Sequence, residues 1–188
     1  DTDHLVQMAH VWDRLREPVL RSAIEALQLP LGSRGLDAGC ATGLQTLRLA
    51  KVVGPTGHVT GLDLSRELLD HAEELIGPAG LSERITFREG DVNQLPFDDD
   101  AFDWAWSADC VGYGPWDPKP LLKELKRVVK PGGLLAIIAW SSERLLPGYP
   151  LLEAKLSATS LGLAPFSNNM EPSRHFFRAL GWLRELGL

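Results

Sequence analysis

Residues Gly35 to Gly43 read GLDAGCATG, and this run constrains the fold of the chain more than any other. Its small residues form a sharp turn that leads from a buried strand into a helix. Leu31 to Leu36 supplies the strand, and Leu44, Leu47 and Ala50 then fall on one helical face. Strand, tight turn and helix in that order make a nucleotide-type binding unit. Asp37 contributes an acidic side chain, while Gly39 and Gly43 let backbone amides approach a bound small molecule.

With 188 residues, 44% of them hydrophobic, the chain can bury the core of a single domain over 1–188. A net charge of -6 gives no broad positive field, so extended contact with nucleic acid is not expected. The two cysteines, Cys40 and Cys110, are too few for a disulfide framework or a cysteine-based zinc site, and no metal is expected. No run of 18 apolar residues exists, and the N-terminus lacks a basic region followed by an apolar one. The expectation is a cytoplasmic protein without membrane contact. The sequence starts at Asp1 and not at methionine.

Along the chain, His4 to Leu27 reads as two helical pieces with Pro18 near the start of the second, forming an N-terminal cap over residues 1–29. Its apolar positions, among them Met8, Val11, Trp12, Leu15, Val19 and Ile24, would cover one side of the sheet or a ligand, with Met8 and Trp12 read as helix packing or as part of a lid. The helix after the glycine loop stops at Gly54-Pro55, and a strand from Gly57 to Leu62 then ends at Asp63. Asp63 follows Gly43 by 20 residues, the distance at which the end of a second parallel strand brings a carboxylate to a ribose. Ser65 caps the next helix, which runs to Gly77-Pro78. A third strand covers Ile85 to Arg88. Phe102 to Ser107 is the fourth and central strand, with Asp103 as a turn residue at its start. Asp117-Pro118 opens a further helix, which Pro131-Gly132-Gly133 breaks. The run LLAIIAW from Leu134 to Trp140 reads as a fifth strand buried on both faces. Residues 141–188 form a variable region that ends in a helix from Ser173 to Leu186, interrupted at Gly181.

The DAGCATG loop, Asp63, the EGDVNQLPFDDDAFD stretch from Glu89, and the KPGG turn before the fifth strand together resemble the class I S-adenosylmethionine-dependent methyltransferases. The resemblance covers about residues 30–140, the cofactor-binding core, and is greatest for the branch that contains quinone-biosynthesis and other small-molecule enzymes. It implies an α/β fold, a Rossmann-like doubly wound, mostly parallel sheet. In that family strands six and seven complete the sheet, and they are expected to be missing from this sequence. The family motif has a glycine where Ala41 stands, and an alanine forced to positive φ would be strained there.

The resemblance also assigns roles. Asp37, Gly39, Cys40, Ala41 and Gly43 would line the amino-acid half of S-adenosyl-L-methionine, Asp63 its ribose and Asp91 its adenine amine. Leu64 and Val92 would lie on the ring faces, and Ser107 would end the wall of the pocket. The product is S-adenosyl-L-homocysteine. Methyl transfer from a sulfonium needs positioning above all, so no nucleophile set has to be present. Where the acceptor loses a proton, His10, His175 and Asp109 are the candidate bases, Asp109 serving equally well as a helix cap or turn residue. Trp12, Tyr113, Trp116 and Trp140 are candidate walls for a small organic acceptor, with core packing as their alternative. Acceptor identity and oligomeric state are not readable. Two other readings stand beside this one: a cofactor-binding protein that has lost turnover, and a methyltransferase that acts on protein. A nicotinamide dehydrogenase is disfavoured, because its fingerprint separates the second and third glycines by three residues.

Overall fold

The structure is a computed structural model, and it describes residues 2–111, 117–139 and 178–188. Contacts divide the chain into two compact units, Asp1–Ser107 with Glu124–Ala136, and Ala108–Lys123 with Ile137–Leu188.

In the first unit a five-stranded sheet runs in the order β3-β2-β1-β4-β5. The strands are β1 (Arg34–Ala38), β2 (His58–Asp63), β3 (Ile85–Glu89), β4 (Phe102–Ala108) and β5 (Val129–Ile138). β1 pairs in parallel with β2 and with β4, and β2 with β3. The chain builds outward from β1 to β3, then crosses back to place β4 on the other side of β1. This reversal is the switch point at which open parallel sheets bind ligands. The doubly wound α/β expectation therefore holds. β1 starts at Arg34 and not at Leu31, which is 81% exposed.

Gly35 has a packing reason to be glycine. A Cβ there would lie 2.0 Å from Cζ2 of Trp104, whose indole fills the space and donates from Nε1 to Ser33 Oγ at 2.8 Å. Asp103 is no turn residue. It lies inside β4, accepts from the Arg34 amide and from Lys130 Nζ at 2.7 Å each, and so fastens β4 to the start of β1 and to β5. These donors, the Arg34 amide foremost, hold its carboxyl below the usual range.

The predicted KPGG turn is also revised. α4 (Lys119–Val128) passes directly into β5, and Lys130 to Gly133 belong to the strand, with Gly132 at φ 78°. Nor is β5 buried on both faces: among the described residues it ends the sheet, with Leu134 38% exposed. An apolar run cannot reveal by itself whether a strand has one neighbour or two. The acidic LPFDDD stretch is a loop fastened to α4. Arg127 donates to the carbonyls of Leu95 and Phe97 and to Asp99, and Glu124 accepts from the Leu95 amide.

The N-terminal segment is one helix, α1 (Thr2–Ala26), with Pro18 inside it. Its packed face carries Asp13, Leu20 and Ile24, whereas Met8, Val11, Leu15 and Val19 on the opposite face are exposed, Val11 at 61%. The helix therefore has two apolar faces, one of which packs against the described residues of this unit, and helix packing does not account for Met8. α2 (Leu44–Val52) and α3 (Arg66–Ile76) follow β1 and β2. Ser65 caps α3 as expected, its Oγ accepting from the Leu68 amide at 3.3 Å.

In the second unit Asp117 caps α4 by accepting from the Lys119 amide at 3.0 Å. Helix α5 (Ala179–Glu185) runs through Gly181 without interruption, and Glu185 pairs with Lys119 at 2.7 Å. No helix among the described residues is long and apolar enough to cross a membrane.

Candidate functional site

At the C-terminal rim of the sheet the loop after β1 takes left-handed backbone at every second residue: Gly39 at φ 80°, Ala41 at φ 46° and Gly43 at φ 74°. That alternation curls the loop. The Gly39 and Cys40 amides both donate to the Leu62 carbonyl, at 2.8 and 3.0 Å, which ties the loop to β2.

Asp63 closes the arrangement. Its Oδ2 accepts from the Ala41 amide at 2.8 Å and its Oδ1 from the Ser65 amide at 3.0 Å. One carboxylate thus holds both the glycine loop and the entry to α3. About half of its acceptor capacity remains for hydroxyl donors.

Ala41 does occupy the strained conformation that its sequence position raised. Ala41→Gly is expected to stabilise the protein by about 1 kcal/mol, since left-handed backbone costs a non-glycine residue roughly 1–2 kcal/mol, partly offset by a more flexible unfolded chain. Thermal denaturation of the two proteins checks this, and a lower midpoint for the variant would show that the alanine carries no strain.

Asp37, one residue before the end of β1, is 1% exposed. Its Oδ2 accepts from Thr46 Oγ1 at 2.6 Å. Burial pushes its carboxyl up to about 7, with the charge of Asp63 adding to the rise and the Thr46 hydroxyl opposing it. An unfolded chain would release this proton near the ordinary 3.8. Between those two values the folded protein holds one more proton than the unfolded, so stability is expected to fall as pH rises from about 4 to about 7. Asp37→Asn should flatten that slope in denaturant titrations across the window, and an unchanged slope would assign it to other groups. Cys40 is buried beside Asp37 and Asp63, and desolvation first, then these charges, keep its thiol protonated.

The third carboxylate lies at the next strand end. The Gly90 amide donates to the Asp63 carbonyl at 2.9 Å, which brings the end of β3 against the end of β2. Asp91 follows, exposed, its Oδ1 accepting from the amide and from the side chain of Asn93 at 2.8 and 3.0 Å. Val92 is half-buried and Leu64 is 71% exposed, an apolar side chain in water at this rim. Ser107 is fully buried and donates to the Ala38 carbonyl at 3.0 Å, so its hydroxyl is engaged in joining β4 to β1.

His10 and Trp12 are half-buried on α1. Asp109 belongs to the second compact unit, at φ 58°, its amide donating to the Ile138 carbonyl at 2.8 Å. His175, Tyr113, Trp116 and Trp140 lie outside the described residues. Among the described residues no group of histidine, cysteine and acidic side chains forms a metal site.

The sequence reading missed a polar cluster between α1 and α2. Asp13 is buried and accepts from Arg48 Nη1 and Nη2 at 2.6 and 2.5 Å and from Gln45 Nε2 at 2.9 Å. Partners 32 and 35 residues apart leave no local spacing signal. The one available hint was a carboxylate on the same helical face as Leu20 and Ile24. The side-chain atoms Gln45 Oε1 and Trp106 Nε1 are buried without a partner. Trp106 is the register partner of Asp37.

A family described as "Methyltransferase domain" matches residues 36–133. A demethylmenaquinone methyltransferase of Staphylococcus aureus is 38% identical over 118 residues, which cover 61% of this chain and 46% of that protein. The chain therefore spans about half the length of the curated relatives it matches. Among solved structures, a SAM dependent methyltransferase from Aquifex aeolicus aligns with a TM-score of 0.68 at 24% identity, over 89% of this chain and 78% of that one, a likeness of fold. The [4+2]-cyclase SpnF aligns with a TM-score of 0.57 at 34% identity, over 63% of this chain and 43% of that one.

Proposed function

From the premise that this chain belongs to the methyltransferase-domain family, we propose that it binds S-adenosyl-L-methionine at the C-terminal rim of its sheet and transfers the methyl group to a small organic acceptor. The observation that carries the reading is the curled loop held by Asp63 at the switch point of a 3-2-1-4-5 sheet. The cofactor supplies a methyl carbon already activated by its sulfonium. The chain's own residues bind and orient it and keep water out. Gly39 to Gly43 pass beside the amino-acid half, the free acceptor capacity of Asp63 takes the ribose hydroxyls, and Asp91 takes the adenine amine between Leu64 and Val92. Asp37 receives the ammonium. An ammonium beside a buried carboxyl draws its pKa down, so binding releases a proton below neutral pH.

The acceptor proposed is a carbon or oxygen of a quinone-like aromatic molecule, in line with the demethylmenaquinone methyltransferase relative. His10, His175 and Asp109 remain proposed bases for it, and Trp12, Tyr113, Trp116 and Trp140 proposed walls.

Calorimetric titration with S-adenosylhomocysteine and with NAD tests the cofactor, and methyl transfer from labelled S-adenosylmethionine to a panel of quinols and phenols tests the reaction. Binding of NAD in place of S-adenosylhomocysteine would overturn the reading. A second reading, binding without methyl transfer, is favoured by the likeness to SpnF, a protein described as a cyclase. It predicts tight S-adenosylhomocysteine binding and no labelled product from any acceptor.

A further inference from the structure

We infer that Asp13 is a positioning residue for this site: it holds the first turn of α2, and through it the glycine loop, in the shape that receives the amino-acid half of the cofactor. The inference rests on the cofactor reading above and gives α1 a part in binding that the sequence motifs do not contain.

The start of α2 has little of its own to hold it. Gly43, its N-cap, brings no side-chain cap, and the first turn carries no acidic residue. Such groups ordinarily meet the orphan amides and the partial positive charge of a helix start. In a helix of nine residues a first turn left open in this way frays readily. The loop would loosen with it, because Gly43 is the last residue of the loop and its carbonyl accepts from the Leu47 amide at 3.0 Å.

Contacts from outside the helix hold this turn instead. Thr46 donates to Asp37 at 2.6 Å, which fastens the turn to β1. From α1, Asp13 accepts from Gln45 Nε2 at 2.9 Å and from both terminal nitrogens of Arg48 at 2.6 and 2.5 Å. Gln45 and Arg48 are the second and fifth residues of α2, three apart and so on one face. A two-pronged bond from a guanidinium to one carboxylate fixes direction as well as distance. Asp13 is buried, so salt and water screen this grip little. It supplies from another helix the acidic group that α2 lacks. In this role Asp13 acts on the loop through α2 and touches no ligand.

The experiment is a calorimetric titration of the whole chain with two probes, S-adenosylhomocysteine and 5′-methylthioadenosine, which share the nucleoside and differ in the amino-acid half. Asp13→Asn is expected to weaken S-adenosylhomocysteine about tenfold while changing 5′-methylthioadenosine by no more than about twofold, because only the first probe carries the half that the loop receives. If Asp13→Asn does not fold, Arg48→Lys, which keeps the charge and gives up the two-pronged bond, should show the same selective loss. Leu20→Ala is the control. Leu20 is buried on the same face of α1, and its truncation costs stability while leaving the Asp13 contacts in place, so both affinities should stay within about twofold. Equal weakening of both probes by Asp13→Asn, unchanged S-adenosylhomocysteine affinity, or the same selective loss from Leu20→Ala would each make Asp13 a structural residue only and overturn the inference. Wild-type protein that takes up neither probe would overturn the cofactor reading and this inference with it.

Discussion

Asp63→Ala is expected to lower affinity for S-adenosylhomocysteine by about 3 kcal/mol, roughly a hundredfold, and to destabilise the free protein as well. The double effect follows from what the carboxylate holds. Its oxygens accept from the Ala41 and Ser65 amides, so its removal frees a loop whose middle residue sits in left-handed backbone. Hydrogen bonds to a charged acceptor contribute about 1.5–3 kcal/mol each. A residue that only touched ribose would cost affinity and leave stability untouched. Asp63→Asn separates the two roles, because one amide oxygen can still accept from Ala41 while the group loses its charge and one acceptor. Chemical denaturation beside calorimetry reads both quantities. Full stability in the alanine variant would show that the loop holds its shape without Asp63.

Gly43→Ala is expected to destabilise the fold by about 3 kcal/mol, combining roughly 1–2 for left-handed backbone with roughly 1–3 for overpacking. A Cβ at Gly43 would stand 2.7 Å from Phe87 Cζ and 2.8 Å from Ala72 Cβ, so it wedges the start of α2 away from β3 and α3. In a chain of this size that corresponds to a fall of about 10 °C in the melting midpoint. Gly80→Ala is the control. Gly80 has φ 68° with nothing within 4 Å of its would-be Cβ, so it bears the backbone cost alone. Equal losses in the two variants would mean that the contacts with Phe87 and Ala72 relax freely, and the close packing of the loop would no longer explain this glycine.

The two variants also divide what was legible in advance from what was not. Gly43 could be singled out from its motif, since glycine at a strand-to-helix turn is a local signal. That Phe87 and Ala72 crowd it required β3 and α3 to be in place. Asp63 could be placed at a strand end by its distance from the loop. That its carboxylate would grip Ala41 depended on β2 lying beside β1 in register, Ala38 against Leu62. Helix ends announced by a hydroxyl or carboxyl cap, Ser65 and Asp117, came out as read because a cap acts within three residues. Pro18 did not divide α1, because packing through Asp13, Leu20 and Ile24 holds the helix on both sides of it.

The sequence by itself determined the order of strands and helices and the place of the glycine loop, because hydrophobic period, caps and turn residues act over a few positions. The doubly wound class followed from the resemblance of its motifs to a known family. Only the tertiary structure decided that Asp103 ties three strands together, that β5 lies at the end of the sheet among the described residues and that Asp13 grips α2. These rest on contacts between residues far apart along the chain. The energies of such contacts exist only once the sheet has brought the partners within hydrogen-bonding distance.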